Sequence, residues 1–126
     1  MDTLVDPAVV TDGKDAEKIE WRSLNQPGSW VKPLGRSPVT GAVGGLFKME
    51  PWSEAAAHSH PSPEFALILE GEVELDGKMY GPGTFFHRPI GVVHGPHKTH
   101  EKGVVMFACF AGPSGSEETL KLVPDK

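Results

Sequence analysis

The sequence predicts an all-β fold, a barrel or a sandwich, and three observations carry that reading. Breakers come at short intervals, with 15 glycines and 12 prolines among 126 residues, so long helices have no room. Between them lie short segments rich in β-branched and aromatic residues, which read as strands. Two of those segments are joined by Asp76-Gly77, the favoured two-residue hairpin turn. Short strands punctuated this regularly belong to barrels and sandwiches.

Taken in order, the strands fall at IEW near Ile19, SWVKPL around Trp30, VGGLFKM from Val43, EFALILEGEVEL from Glu64, KMY before Tyr80, TFFH from Thr84, GVVMFACF from Gly103 and ETLKL near the end. Residues 1–17 lack a strand pattern and are expected to form a flexible tail, with 18–126 as a single domain. In the hairpin, the turn sets the register: Leu75 opposite Lys78, Glu74 opposite Met79 and Val73 opposite Tyr80. In EFALIL both alternating sets are apolar, Phe65, Leu67 and Leu69 on one side, Ala66 and Ile68 on the other. Such a strand is expected to be covered on both faces, by the barrel interior and by a second sheet or a second subunit. A homodimer follows as an expectation, with IEW as a strand that could cross to the partner.

Charge and composition narrow the partners. The formal net charge of -5, from 12 basic and 17 acidic side chains with no basic run, argues against nucleic acid and against an anionic membrane surface. No segment is long and apolar enough to suggest a membrane span, and the first residues lack a signal-peptide pattern. Cys109 is the only cysteine and sits in an apolar run, so it is read as a buried core residue in a reducing, cytoplasmic setting. Small molecules remain as ligands.

The stretch HSHPSPEFALILEG carries the chemistry. In an extended strand, residues two apart share a face, so His58 and His60 can point at one spot. Pro61-Ser62-Pro63 then forces the chain to turn, because proline cannot donate to a strand ladder. Glu64 restarts a strand on the same face as Ala66 and Ile68, which is the inward row. Two imidazoles and a carboxylate converging in an apolar interior are costly unless something coordinates them, and a divalent metal does so. Some thirty residues on, GTFFHRPIGVVH supplies a Pro-Ile-Gly turn and a third histidine, His94.

Together these residues resemble the two-motif signature of the cupin superfamily. His58, His60, Glu64 and Gly71 meet H-x-H-x3-E-x6-G, and Gly83, Pro89, Gly91 and His94 meet G-x5-P-x-G-x2-H. The resemblance implies a single-domain jelly-roll β-barrel, usually dimeric, with one divalent metal per chain held by His58, His60, Glu64 and His94. There are two departures: Trp52 stands where the first motif usually opens with glycine, and Lys98 where the second often closes with asparagine. Neither position is a ligand.

Three nitrogens and one oxygen suit Fe(II), Mn, Co, Ni, Cu or Zn; Fe(II) is favoured here for function, although the affinity order favours copper, nickel or zinc. Four protein ligands leave an octahedral ion two open positions, enough for a chelating substrate or for substrate and dioxygen. Phe47, Met49, Ile68, Phe85 or Phe86, and Met106 are candidates for an apolar pocket wall. The resulting expectation is a dioxygenase acting on a small chelating organic molecule. A metal-dependent isomerase, decarboxylase or hydrolase would need a proton-transfer group, for which His87 and Tyr80 are the candidates. His87 either faces the pocket as the catalytic acid-base residue or faces outward. His97 and His100 are expected in a solvated loop, and Arg88 and Lys98 on the surface. The third possibility is a non-catalytic sensor, since RPIGVVHGPH and the strand GVVMFACF are similar to the cupin domain of ChrR-type anti-sigma factors.

Overall fold

The computed structural model describes residues 8–112. One six-residue helix, α1 (Gly13–Lys18), precedes ten strands: β1 (Arg22–Ser23), β2 (Ser29–Arg36), β3 (Val43–Met49), β4 (Glu54–Ala55), β5 (Glu64–Gly71), β6 (Val73–Leu75), β7 (Lys78–Tyr80), β8 (Phe85–Arg88), β9 (His97–Lys98) and β10 (Val104–Phe110). They form a six-stranded sheet in the order β1-β2-β3-β10-β5-β8 and a four-stranded sheet in the order β4-β9-β6-β7. Neighbouring strands in both are antiparallel. Ala55 and Val73 of the smaller sheet join Val43, Ala66, Ile68, Met106 and Phe110 of the larger in one buried cluster. The two sheets therefore share a core, as the expected all-β jelly roll requires. None of the helices among the described residues is long and apolar enough to cross a membrane.

The hairpin has the register read from its turn, Val73↔Tyr80, Glu74↔Met79 and Leu75↔Lys78. Asp76 and Gly77 adopt φ of 52° and 77°, the left-handed pair that matches the twist of the strands. Gly71 has a different reason to be glycine. At φ 79°, a Cβ there would overlap the carbonyl of Gly103, so no side chain fits where β5 passes the start of β10.

Alternation along β5 and β10 builds the wall of the site. Glu64, Ala66 and Ile68 are buried on β5, and Val104, Met106, Ala108 and Phe110 on β10. The opposite face is not covered within the described residues: Leu67, Leu69, Phe107 and Phe85 of β8 are exposed by 37%, 44%, 38% and 60%. The expectation of cover by a second sheet is thus not met. Cys109 also points to this outer face and is half-buried, not a core residue as its apolar neighbours suggested.

One further strand expectation is revised, one short helix is added, and one expected strand is not described. The IEW segment forms no strand, and β1 begins one residue later; Trp21 instead lies beneath the ammonium groups of Lys32 and Lys48, 5.2 and 4.3 Å from its ring centre. The helix α1, unmarked by any apolar periodicity, is capped by the Asp12 side chain and tied to β2 by Lys32 Nζ bonding the Ala16 carbonyl at 3.0 Å. The ETLKL segment lies outside the described residues.

Candidate metal centre

His58 and His94 are brought together by backbone. Each donates its N–H to the other's carbonyl, at 2.9 and 2.8 Å, in an isolated antiparallel bridge that places both side chains on one face. His60 lies two residues on, beneath the Pro-Ile-Gly turn, whose Gly91 N–H donates to the His60 carbonyl at 3.0 Å. Gly91 makes that turn at φ 77°. The three ring-centre separations are 4.8, 4.4 and 5.1 Å. One nitrogen from each ring lies within 4.8 Å of the others, close enough for one metal ion to be held by His58, His60 and His94 after small ring movements.

Glu64 enters the same cluster from the first residue of β5. Its Oε1 is 3.5 Å from His60 Nε2, 3.6 Å from His94 Nε2 and 3.5 Å from Arg88 Nη1. Burial pushes its carboxyl pKa up, and the Arg88 guanidinium partly opposes this. Of the four residues expected as ligands, the three histidines form the close group and Glu64 lies beside two of them, His60 and His94.

The donor set is suited to a cation in its detail. His58 Nδ1 lies 2.8 Å from the Ala56 carbonyl, which can only accept, so Nδ1 carries the hydrogen and Nε2 keeps its lone pair. Both ring nitrogens of His94 and Nδ1 of His97 are buried with no hydrogen-bond partner. One nitrogen of a neutral imidazole carries a lone pair, and an orphaned lone pair in a protein interior is costly and is what a bound cation satisfies.

The pocket also contains residues the sequence placed elsewhere. His97 is 5% exposed on β9 and lines the pocket, its ring stacked 5.8 Å from that of His58. Arg88 is 8% exposed and lines it too, from the last residue of β8. Both were expected at the surface; in strands of four and two residues, orientation cannot be read from alternation. His87, the acid-base candidate, points the other way: it is exposed on the outer face, its ring stacked flat on Phe65 at 4.8 Å. Tyr80 packs against Phe86 at 5.6 Å, away from the pocket lining. Phe47, Met49 and Met106 line the pocket as expected, joined by Val104 and Phe110, whereas Ile68, Phe85 and Phe86 do not. His100 is half-buried and paired with Glu74 at 2.8 Å. Lys98 is exposed on β9, opposite Glu54.

A sequence model of the ChrR cupin-like domain matches residues 11–113. The chain belongs to that family. Trp52, which stands where the first motif usually has glycine, keeps the left-handed backbone at φ 58° and stays exposed. No curated protein matches the chain significantly. Among solved structures, an acetylacetone dioxygenase from Acinetobacter johnsonii superposes with a TM-score of 0.66 at 17% identity, over 89% of this chain and 81% of that one. KdgF from Halomonas sp. gives 0.64 at 21% identity, over 76% and 90%. The Rhodobacter sphaeroides SigE complex with the anti-sigma ChrR gives 0.63 at 20% identity, over 75% of this chain and 49% of that one, so the cupin spans about half of the ChrR-complex chain. At such identities these likenesses establish the cupin fold and nothing of the chemistry.

The buried histidines make a pH prediction for the metal-free protein. Desolvation first, then the charges of Arg88 and the neighbouring histidines, lowers His94 from 6.5 to about 2 and His97 from 6.5 to about 3. Between those values and 6.5 the unfolded chain binds protons that the folded one does not, so stability falls as pH drops below 6.5. His97 contributes up to about 1.4 kcal/mol per pH unit, and the more open His94 less. Glu64, with its raised pKa, opposes this as a single group against two. Urea unfolding at pH 7 and pH 5 should show the loss; equal stability at both would contradict it.

Proposed function

We propose that the protein holds one divalent metal through His58, His60, Glu64 and His94, and that with Fe(II) it is a dioxygenase acting on a small chelating organic molecule. The observation that carries the reading is the convergence of three imidazoles and a carboxylate at the end of a pocket walled by Phe47, Met49, Val104, Met106 and Phe110. When bound, the metal would supply the redox chemistry between a chelated substrate and dioxygen. The apolar wall excludes water and selects a partly apolar ligand. The His58–Ala56 hydrogen bond holds one ligand ring in its ligating tautomer, and an edge-type contact with the Phe110 ring, centres 4.8 Å apart, packs against the His60 ring. Both proton-transfer candidates, His87 and Tyr80, lie outside the pocket lining; His97 lies inside, where burial first and then the Arg88 charge lower its pKa to about 3 and hold it neutral, a poor proton acceptor. A dioxygenase places both oxygen atoms in its products, so the substrate supplies the electrons and no other reductant is required.

A second reading, a non-catalytic metal-binding sensor, is supported by the family match itself. Anaerobic reconstitution with Fe(II), addition of diketones or catechol-like compounds, and then oxygen separates the two. Substrate-dependent oxygen uptake is expected. Binding without turnover favours the sensor, and turnover without oxygen favours an isomerase or hydrolase. The outer face with Leu67, Leu69, Phe85 and Phe107 supports a homodimer as the working form. Light scattering at micromolar concentration is expected to give twice the chain mass, and a monomer mass would refute it.

A further inference from the structure

Arg88 is a buried cation in the pocket lining whose chemistry the proposed metal site does not use. Its side chain is 10% exposed, its guanidinium sits 4.6 Å from the Phe86 ring, and among the described residues Glu64 is its only ion-pair partner. A guanidinium carries five N–H donors in a fork suited to a carboxylate or a similar oxyanion. One contact, at 3.5 Å to Glu64 Oε1, leaves most of that capacity unused inside an apolar wall.

We infer that Arg88 is the anion-holding residue of the pocket, and that the ligand the site selects is a small organic oxyanion, a carboxylate or an enolate, which also chelates the metal. The inference rests on the reading that Glu64 is a metal ligand. Charge decides the point. Without a metal, Arg88 and Glu64 cancel each other. Among the lining residues Glu64 is the only carboxylate, so a divalent ion bound there leaves metal, Glu64 and Arg88 with an excess of two positive charges. Histidine ligands add no negative charge to offset it. In an apolar pocket that excess is expensive, and a neutral ligand does nothing to reduce it. An oxyanion reduces it and satisfies the unused N–H groups of Arg88 at once.

The test uses the full chain loaded with Co(II), with oxalate as the anionic chelating probe and imidazole as the neutral one, followed by calorimetry and the visible spectrum of the cobalt. In the wild type and in Arg88→Gln, about one Co(II) per chain is expected, since removing Arg88 removes a competing charge. Oxalate should bind Arg88→Gln about 10- to 100-fold more weakly, the range of a charged hydrogen-bonded contact, while imidazole affinity stays within about twofold. If Arg88→Gln does not fold, Arg88→Lys replaces it: it keeps the charge but loses the fork, and oxalate should weaken by about tenfold with imidazole unchanged. Equal oxalate affinity in the metal-loaded wild type and the folded variant overturns the role of Arg88 and leaves the metal reading standing. A wild type that takes up no Co(II) overturns both.

Discussion

Replacing Glu64 with alanine is expected to destabilise the metal-free protein by about 3–5 kcal/mol, the usual result of removing one partner of a buried ion pair. Arg88 is 8% exposed and would keep its charge with no partner among the described residues. The two partners are not equivalent. A buried carboxyl can take up a proton and become neutral, whereas a guanidinium cannot, so loss of Glu64 should do more damage than loss of Arg88. Glu64→Gln keeps the shape and removes only the charge, and it should fall between wild type and Glu64→Ala. Urea unfolding of the metal-free variants checks this. A loss below about 1 kcal/mol in Glu64→Ala would mean that the Arg88 charge is solvated after all.

The same pair marks where sequence reasoning stopped. The approach of His58, His60, His94 and Glu64 was legible because their spacing is tied to turns: Pro61-Ser62-Pro63 on one side and Pro89-Ile90-Gly91 on the other leave few ways for the side chains to point. The hairpin at Asp76-Gly77 was legible for a related reason, since a two-residue turn sets register and register sets faces. Arg88 and His97 were not, because β8 and β9 are too short for alternation to declare which side meets the core. On β8 the reading turns on a single residue: His87 faces out and Arg88 in, which exchanges the expected proton carrier for a cation. The outer face of β5 misled in another way. Its apolar residues were read as a face covered by a second sheet or a second subunit, and no sheet among the described residues covers it.

Alanine at His58 or His94 is expected to remove the metal. Each residue supplies one of three nitrogens that lie within 4.8 Å of one another, and the backbone bridge between the two positions holds the remaining strand geometry in place when either side chain is lost. Loss of a direct ligand should cost more than the about 10–100-fold typical of an outer-shell change. The most direct measurement is elemental analysis of untagged protein, wild type beside His58→Ala and His94→Ala. The account predicts about one divalent metal per wild-type chain and little in either variant. Metal content unchanged in both variants would contradict it.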